Sequence, residues 1–350
     1  MIKLKATKQR DSNFELLRLI SMLLVVFTHV SFWALGAPGL EDIQRNFIDA
    51  TIRVSLQSLG IPCVNIFVMI SGWYGIKPSR LGVTAFLFQC IFYSILIYSI
   101  ALLFGISTFD KNNILKTFFL SRDYWFVKSY LFLYLLSPIL NSFVQASQRA
   151  LFEKVLISFF IFQTIFGWLY PLSVWNTFYD GYSTISFLGL YLLGRYIKIY
   201  RPQFSQFSIK NDALIIVGLI AFCTLVYIAP PGLGLNTVVV GRKLLSYISP
   251  ITIVLSVYFI LFFSKLSFKS HIVNWSATGA FAIYLVHMNP HISDYVKESL
   301  YQLHSSQTTG MYYGLLALFI IVLFVSSIFI DKIRSYLWLT FSHNVFRSSK

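Results

Sequence analysis

Charge is scarce in this 350-residue chain. Asp, Glu, Lys and Arg together make up 12% of it, where a soluble globular domain carries about 25%. With 57% hydrophobic and 18% aromatic residues, too little polar surface exists to coat a water-soluble globule. That excludes a soluble single domain, and disorder with it, because a disordered chain needs low hydrophobicity. Acids are scarcer still, 13 against 28 Lys and Arg, and all of them fall in loops or at the ends of apolar runs. Proton-driven carriers commonly use intramembrane Asp or Glu chains, so this shortage counts against that class. The three cysteines, Cys63, Cys90 and Cys223, lie in apolar stretches without CxxC or metal-ligand spacing and read as packing residues. No HExxH, nucleophile elbow, P-loop or dinucleotide-binding glycine motif occurs, and no metal site is expected. Internal repeats, low-complexity tracts and the alternating pattern of a membrane β-barrel are also missing.

What the chain does have is apolar runs of about 18–25 residues with short polar breaks, the length needed to cross roughly 30 Å of hydrocarbon as helix. Ten spans are expected, at 15–35, 58–76, 82–106, 125–144, 151–170, 183–200, 211–229, 245–264, 273–291 and 311–331. The reading is an all-α, polytopic helical bundle forming one integral-membrane domain over 1–350, because the loops are too short for a second, soluble domain. The N-terminus, basic and then apolar up to Ala34-Leu35-Gly36-Ala37, imitates a signal peptide. Its apolar run exceeds the usual core of 7–15 residues, so a retained helix is expected. Pro62, Asn65 and Ser71 interrupt the second span, and His287, Asn289 and Pro290 the ninth. Irregular backbone at membrane depth is tolerated where it lines a cavity, so a site is expected there.

The net charge of +15 is assigned to loops that touch anionic lipid, not to nucleic acid, since no basic-aromatic nucleic-acid module is present. With the N-terminus inside, 18 Lys and Arg fall on the inner side and 8 on the outer, while Arg18 and Lys128 lie within spans. This bias puts both termini in the cytoplasm.

Each ionisable group inside a span is a functional hypothesis, because burying it in hydrocarbon costs several kcal/mol. Arg18, His29, Lys128 and His287 stand out. Arg18 either snorkels to the interface, pairs with Glu15 one turn earlier, or serves a ligand. His29 follows eleven residues later, about 16 Å along the helix and close to three whole turns on, so the two share a face. The expected topology brings His29, Lys128 and His287 to a comparable depth in the outer half. Each also has a plain structural reading, as a helix–helix hydrogen bond, a snorkelling side chain and a capping group respectively. Gly189 and Gly194 in the sixth span are expected to serve helix packing.

The segment Glu15-Leu-Leu-Arg18-Leu-Ile-Ser-Met-Leu-Leu-Val-Val-Phe-Thr-His29 resembles the first helix of the acyltransferase 3 family, whose mark is Arg or Lys, ten residues, then His. Further pieces of that resemblance follow in order. They are Val64-Asn65-Ile66-Phe67-Val68-Met69-Ile70-Ser71-Gly72, Trp125-Phe126 leading to Leu136-Ser137-Pro138, Tyr191-Leu192-Leu193-Gly194-Arg195, Ser249-Pro250, and Ala282-Ile283-Tyr284-Leu285-Val286-His287. The resemblance covers about residues 11–330. One departure stands out. Where some members carry Arg-x-x-Arg, this chain reads Lys77-Pro78-Ser79-Arg80, and Lys lacks the bidentate fork of Arg. Members with an appended extracellular esterase-like domain are not the expected model.

The resemblance implies a multi-pass enzyme of the bacterial cytoplasmic membrane. It would move an acyl group, usually acetyl, from cytoplasmic acyl-CoA to a hydroxyl of a cell-surface or lipid-linked carbohydrate, with no bound cofactor. Arg18, Lys77, Arg80 and Arg195 are the donor-binding candidates. His29 and His287 are the catalytic candidates, with His29 as general base, and Lys128, Asn65 and Ser71 are candidates for acceptor or oxyanion contacts. Direct transfer is favoured over an acyl-His29 intermediate. The competing class is a non-enzymatic transporter or flippase for a glycan or lipid precursor.

Overall fold

The protein is described by a computed structural model that covers residues 10–120, 124–170, 178–235 and 238–347. Lys3, Lys5, Lys8, Arg122 and Lys350, counted in the charge balance above, lie outside the described residues. Among the described residues 82% are helical and none is in a strand. The bundle is built from α1 (Ser12–Thr28), α2 (Phe47–Gly60), α3 (Cys63–Tyr74), α4 (Arg80–Leu103), α5 (Trp125–Ala146), α6 (Arg149–Phe162), α7 (Thr184–Tyr200), α8 (Ile209–Gly232), α9 (Pro250–Ser264), α10 (His271–Ala277), α11 (Ala280–His287), α12 (Ser293–Ser306) and α13 (Thr309–Arg347). Serine starts several of them. The hydroxyls of Ser79, Ser183, Ser208 and Ser270 each accept from a backbone N–H three residues on, satisfying donors that the helix leaves orphaned.

Among the described residues, seven helical stretches are long and apolar enough to cross a membrane. Their outward faces are apolar too: Leu214, Val217 and Leu225 on α8 and Leu318, Ile321 and Val325 on α13 are exposed. A helix apolar on all sides needs an apolar surround. The expected sixth and eighth spans correspond to the shorter α7 and α9, and the ninth is broken into α10 and α11. Thr278 and Gly279 form that break, and the helix then ends at His287.

The second span differs most from expectation. It runs over Phe47–Tyr74 with a break at Ile61-Pro62, beginning eleven residues before the expected 58. Hydropathy discounts the stretch holding Asp49, Arg53 and Gln57, yet all three are buried, and the charges of Asp49 and Arg53 neutralise each other.

Helix α1 lies at the centre, packed against α2, α3, α9, α10 and α11. Two close crossings fix its surroundings. A Cβ on Gly60 would stand 2.7 Å from the Leu24 carbonyl oxygen, so only glycine lets α2 approach α1 one turn before His29. The α3–α7 crossing is reciprocal. A Cβ on Gly72 would lie 2.2 Å from the Tyr191 carbonyl oxygen, and one on Gly194 2.4 Å from that of Met69. Gly194 thus serves helix packing, and so does Gly189, whose absent Cβ makes room for the Phe159 ring on α6.

Candidate active site

The path of α1 creates the site. Its α-helical hydrogen bonding ends at Thr28, and His29–Ala34 continues as a π-helix. Such wide turns recur at functional sites. The face of α1 that carries Arg18, Met22, Val25 and His29 lines a cavity of about 590 Å³. These residues recur at three- and four-residue steps, so they stack along one helix face.

At one end of the cavity stand Arg10, Asp11, Glu15 and Arg18. The buried Glu15 carboxylate pairs with Arg18, and Arg10 Nη1 lies 3.5 Å from its second oxygen. The Tyr74 hydroxyl donates to Asp11 at 2.8 Å. Arg18 keeps 29% of its side chain exposed, so the ion pair leaves part of the guanidinium facing the cavity. The walls are aromatic. Phe86 stacks on Phe281, Phe126 on Tyr130 and Phe281 on Tyr284, with Trp125 and Tyr247 completing the lining. One polar pair interrupts them: the Ser71 and Tyr130 hydroxyls lie 3.0 Å apart.

His29 stands about 16 Å along α1 from Arg18. Its Nδ1 lies 2.8 Å from Nε2 of His287, whose own Nδ1 lies 2.6 Å from the Ile283 carbonyl oxygen. A carbonyl only accepts, so His287 carries its proton on Nδ1. With both rings neutral, the His287 Nε2 lone pair then accepts from His29 Nδ1–H. The proton positions follow from this network. The lone pair of His29 is left on Nε2, in the ring that lines the cavity. The Trp33 ring packs edge-on against His29 with centroids 6.2 Å apart.

The structure thus brings Arg18, His29, His287 and Ser71 together, with His287 behind His29 and off the cavity wall. The other sequence candidates lie elsewhere. Asn65 is buried and donates to the Tyr247 carbonyl at 2.8 Å. Lys128 is on the exposed face of α5, between the buried Val127 and Ser129, and does not line the cavity. Lys77 and Arg80 are exposed and do not line the cavity. Arg195 is half-buried beside Gly75, also off the cavity wall. Sequence reasoning missed Tyr130, Tyr284 and the π-turn. Tyr130 carries no spacing signal and Tyr284 could have been found from its place one turn before His287 in the quoted segment, while nothing in the composition of His29–Ala34 marks a change of helical pitch.

The fold and the cavity define a multi-pass helical membrane protein with a histidine-based polar site. Residues 11–331 match the acyltransferase 3 family model, an acyltransferase domain. The chain therefore belongs to the acyltransferase 3 family and is a membrane acyltransferase. No curated protein and no solved structure matches it.

Proposed function

We propose that this protein is an O-acyltransferase of the bacterial cytoplasmic membrane. It takes an acyl group, acetyl foremost, from cytoplasmic acyl-CoA and delivers it to a hydroxyl of a cell-surface or lipid-linked carbohydrate. The observation that carries this reading is the cavity itself, which has a guanidinium at one end and an imidazole about 16 Å away on the same helix face.

In this reading Arg18 receives the anionic donor through charge-assisted hydrogen bonds, and the thioester extends along the aromatic walls toward His29. The acceptor hydroxyl attacks the thioester carbonyl while His29 Nε2 takes its proton, a role suited to a group of unperturbed pKa near 6.5. The tetrahedral intermediate then collapses. The carbon–sulfur bond breaks, and the leaving thiolate recovers the proton from His29. His287, bonded to Ile283, fixes the tautomer and tilt of the His29 ring. Either hydroxyl of the Ser71–Tyr130 pair, by turning from its present partner, can donate to the oxyanion. The aromatic rings offer faces for stacking a sugar.

Loss of a general base typically slows a reaction 10²–10⁴-fold. Mass spectrometry of surface glycan from cells producing wild type, His29→Ala or His29→Gln is the test. One acyl mass should appear with wild type alone, at equal levels of folded protein. Glycan lost without any acyl change would favour transport instead. A purified His29→Ala protein within about tenfold of wild type would remove His29 from the chemistry.

A further inference from the structure

The π-turn that begins at His29 is held from outside its own helix. The last carbonyls of a helix have no helical partner, and here side chains supply them. Arg53 Nε donates to Ser31 O at 3.2 Å, and Arg53 Nη2 donates to Gly36 O. Just beyond, Arg242 donates to Ala37 O at 3.0 Å and Tyr227 to Pro38 O at 2.9 Å. Arg53 is buried, with 6% of its side chain exposed. A guanidinium that far from solvent needs a counter-charge, and Asp49, one turn earlier on α2, provides it with Oδ2 3.6 Å from Nη1. Asp49 is held in turn by His304 Nε2 at 3.2 Å and by the Tyr313 hydroxyl at 3.1 Å. The helix carrying His304, α12, also packs on the π-turn, with Lys297 Nζ 5.7 Å from the centre of the Trp33 ring.

We infer that Arg53 is a positioning residue for the transfer reaction: with Asp49 as its anchor, its guanidinium spans Ser31 O and Gly36 O and holds the turn that aims His29. His29 sits at the change of pitch. The regular hydrogen bonds of α1 hold it on one side, and on the other it depends on a turn whose carbonyls are satisfied by Arg53. Two carbonyls five residues apart need a forked donor. Lysine keeps the charge but has one nitrogen on a flexible stem, so Arg53→Lys lets the turn relax. A displacement of about 1 Å at a reacting group costs up to about 100-fold in rate.

The inference rests on His29 carrying the chemistry, and the two fail differently. If that reading is wrong, His29→Ala stays active; if only the present one is wrong, His29→Ala is dead and folded Arg53→Lys is fully active. The experiment measures acetyl transfer to endogenous glycan in membranes at saturating acetyl-CoA, alongside acetyl-CoA Kd and melting temperature of the purified variants. Arg53→Lys should lose about tenfold or more in rate, with Kd within about twofold and melting temperature kept. His304→Ala should lose a smaller factor, while His304→Gln, which retains a donor for Asp49, should recover it. If Arg53→Lys does not fold, Asp49→Asn, which leaves Arg53 in place without its counter-charge, is read in the same way. An unchanged rate in folded Arg53→Lys overturns the inference. So does a rate that falls only in step with Kd and folded protein.

Discussion

At the scale of single residues, no acid among the described residues bonds the histidine pair. His287 is anchored on a backbone carbonyl, Ile283 O, so it orients His29 without offering the resulting imidazolium a negative charge. Removing it should therefore cost less than removing His29. His287→Ala is expected to slow transfer about 10–100-fold, with acyl-CoA affinity unchanged, and steady-state kinetics on membranes would show this. A matching rise in donor Kd would place His287 in binding instead. Arg18 should behave in the opposite way. Hydrogen bonds to charged groups contribute about 1.5–3 kcal/mol, so Arg18→Ala should raise acyl-CoA Kd about tenfold or more. Arg18→Lys should restore part of it, since charge returns without the fork. Unchanged Kd in a folded Arg18→Ala protein would leave only the structural pairing with Glu15. Arg18 and His29 were legible because an eleven-residue spacing survives into three dimensions as one helix face. That Lys128 does not line the cavity was not legible, because one step along α5 separates a buried face from an exposed one.

At the scale of elements, the reciprocal contact of α3 and α7 makes a sharp prediction. Gly72→Ala or Gly194→Ala would drive a methyl into a backbone carbonyl of the facing helix, and overpacking of this kind typically costs 1–3 kcal/mol. Either variant should melt several degrees below wild type in detergent, while Gly218→Ala, which meets open space, should not. Equal melting temperatures for all three would show that the helices part without penalty. The long apolar helices were readable by run length alone. The first half of the second span was hidden because Asp49 and Arg53 look like loop residues until the partners of Asp49, His304 and Tyr313, arrive from more than 250 positions away. The break at Thr278-Gly279 was hidden for a related reason, since a Cβ on Gly279 would come within 3.0 Å of the α13 backbone at Ile328.

At the scale of the whole molecule, the buried carboxylates are paired. Asp331, inside α13, is held by Arg334 and Gln89, and Asp212, in the first turn of α8, by Lys265. The 18-to-8 split of basic residues predicts that reporter fusions near both termini read cytoplasmic. A periplasmic reading at the N-terminus would move Arg18 to the wrong side for a cytoplasmic donor and sink the proposed route of the acyl group. The interlocked glycines also give the two walls of the cavity different kinds of contact. Val64, Phe67, Ser71 and Tyr74 reach the cavity from α3, whose backbone is keyed into α7 and cannot slide along it. Phe86, Phe126, Phe281 and Tyr284 reach it from α4, α5 and α11, and they meet one another ring against ring. Rings slip past each other at little cost, whereas keyed backbones do not. Under the proposed function, any widening of the chamber to admit the acyl group would therefore fall to that second wall and not to α3.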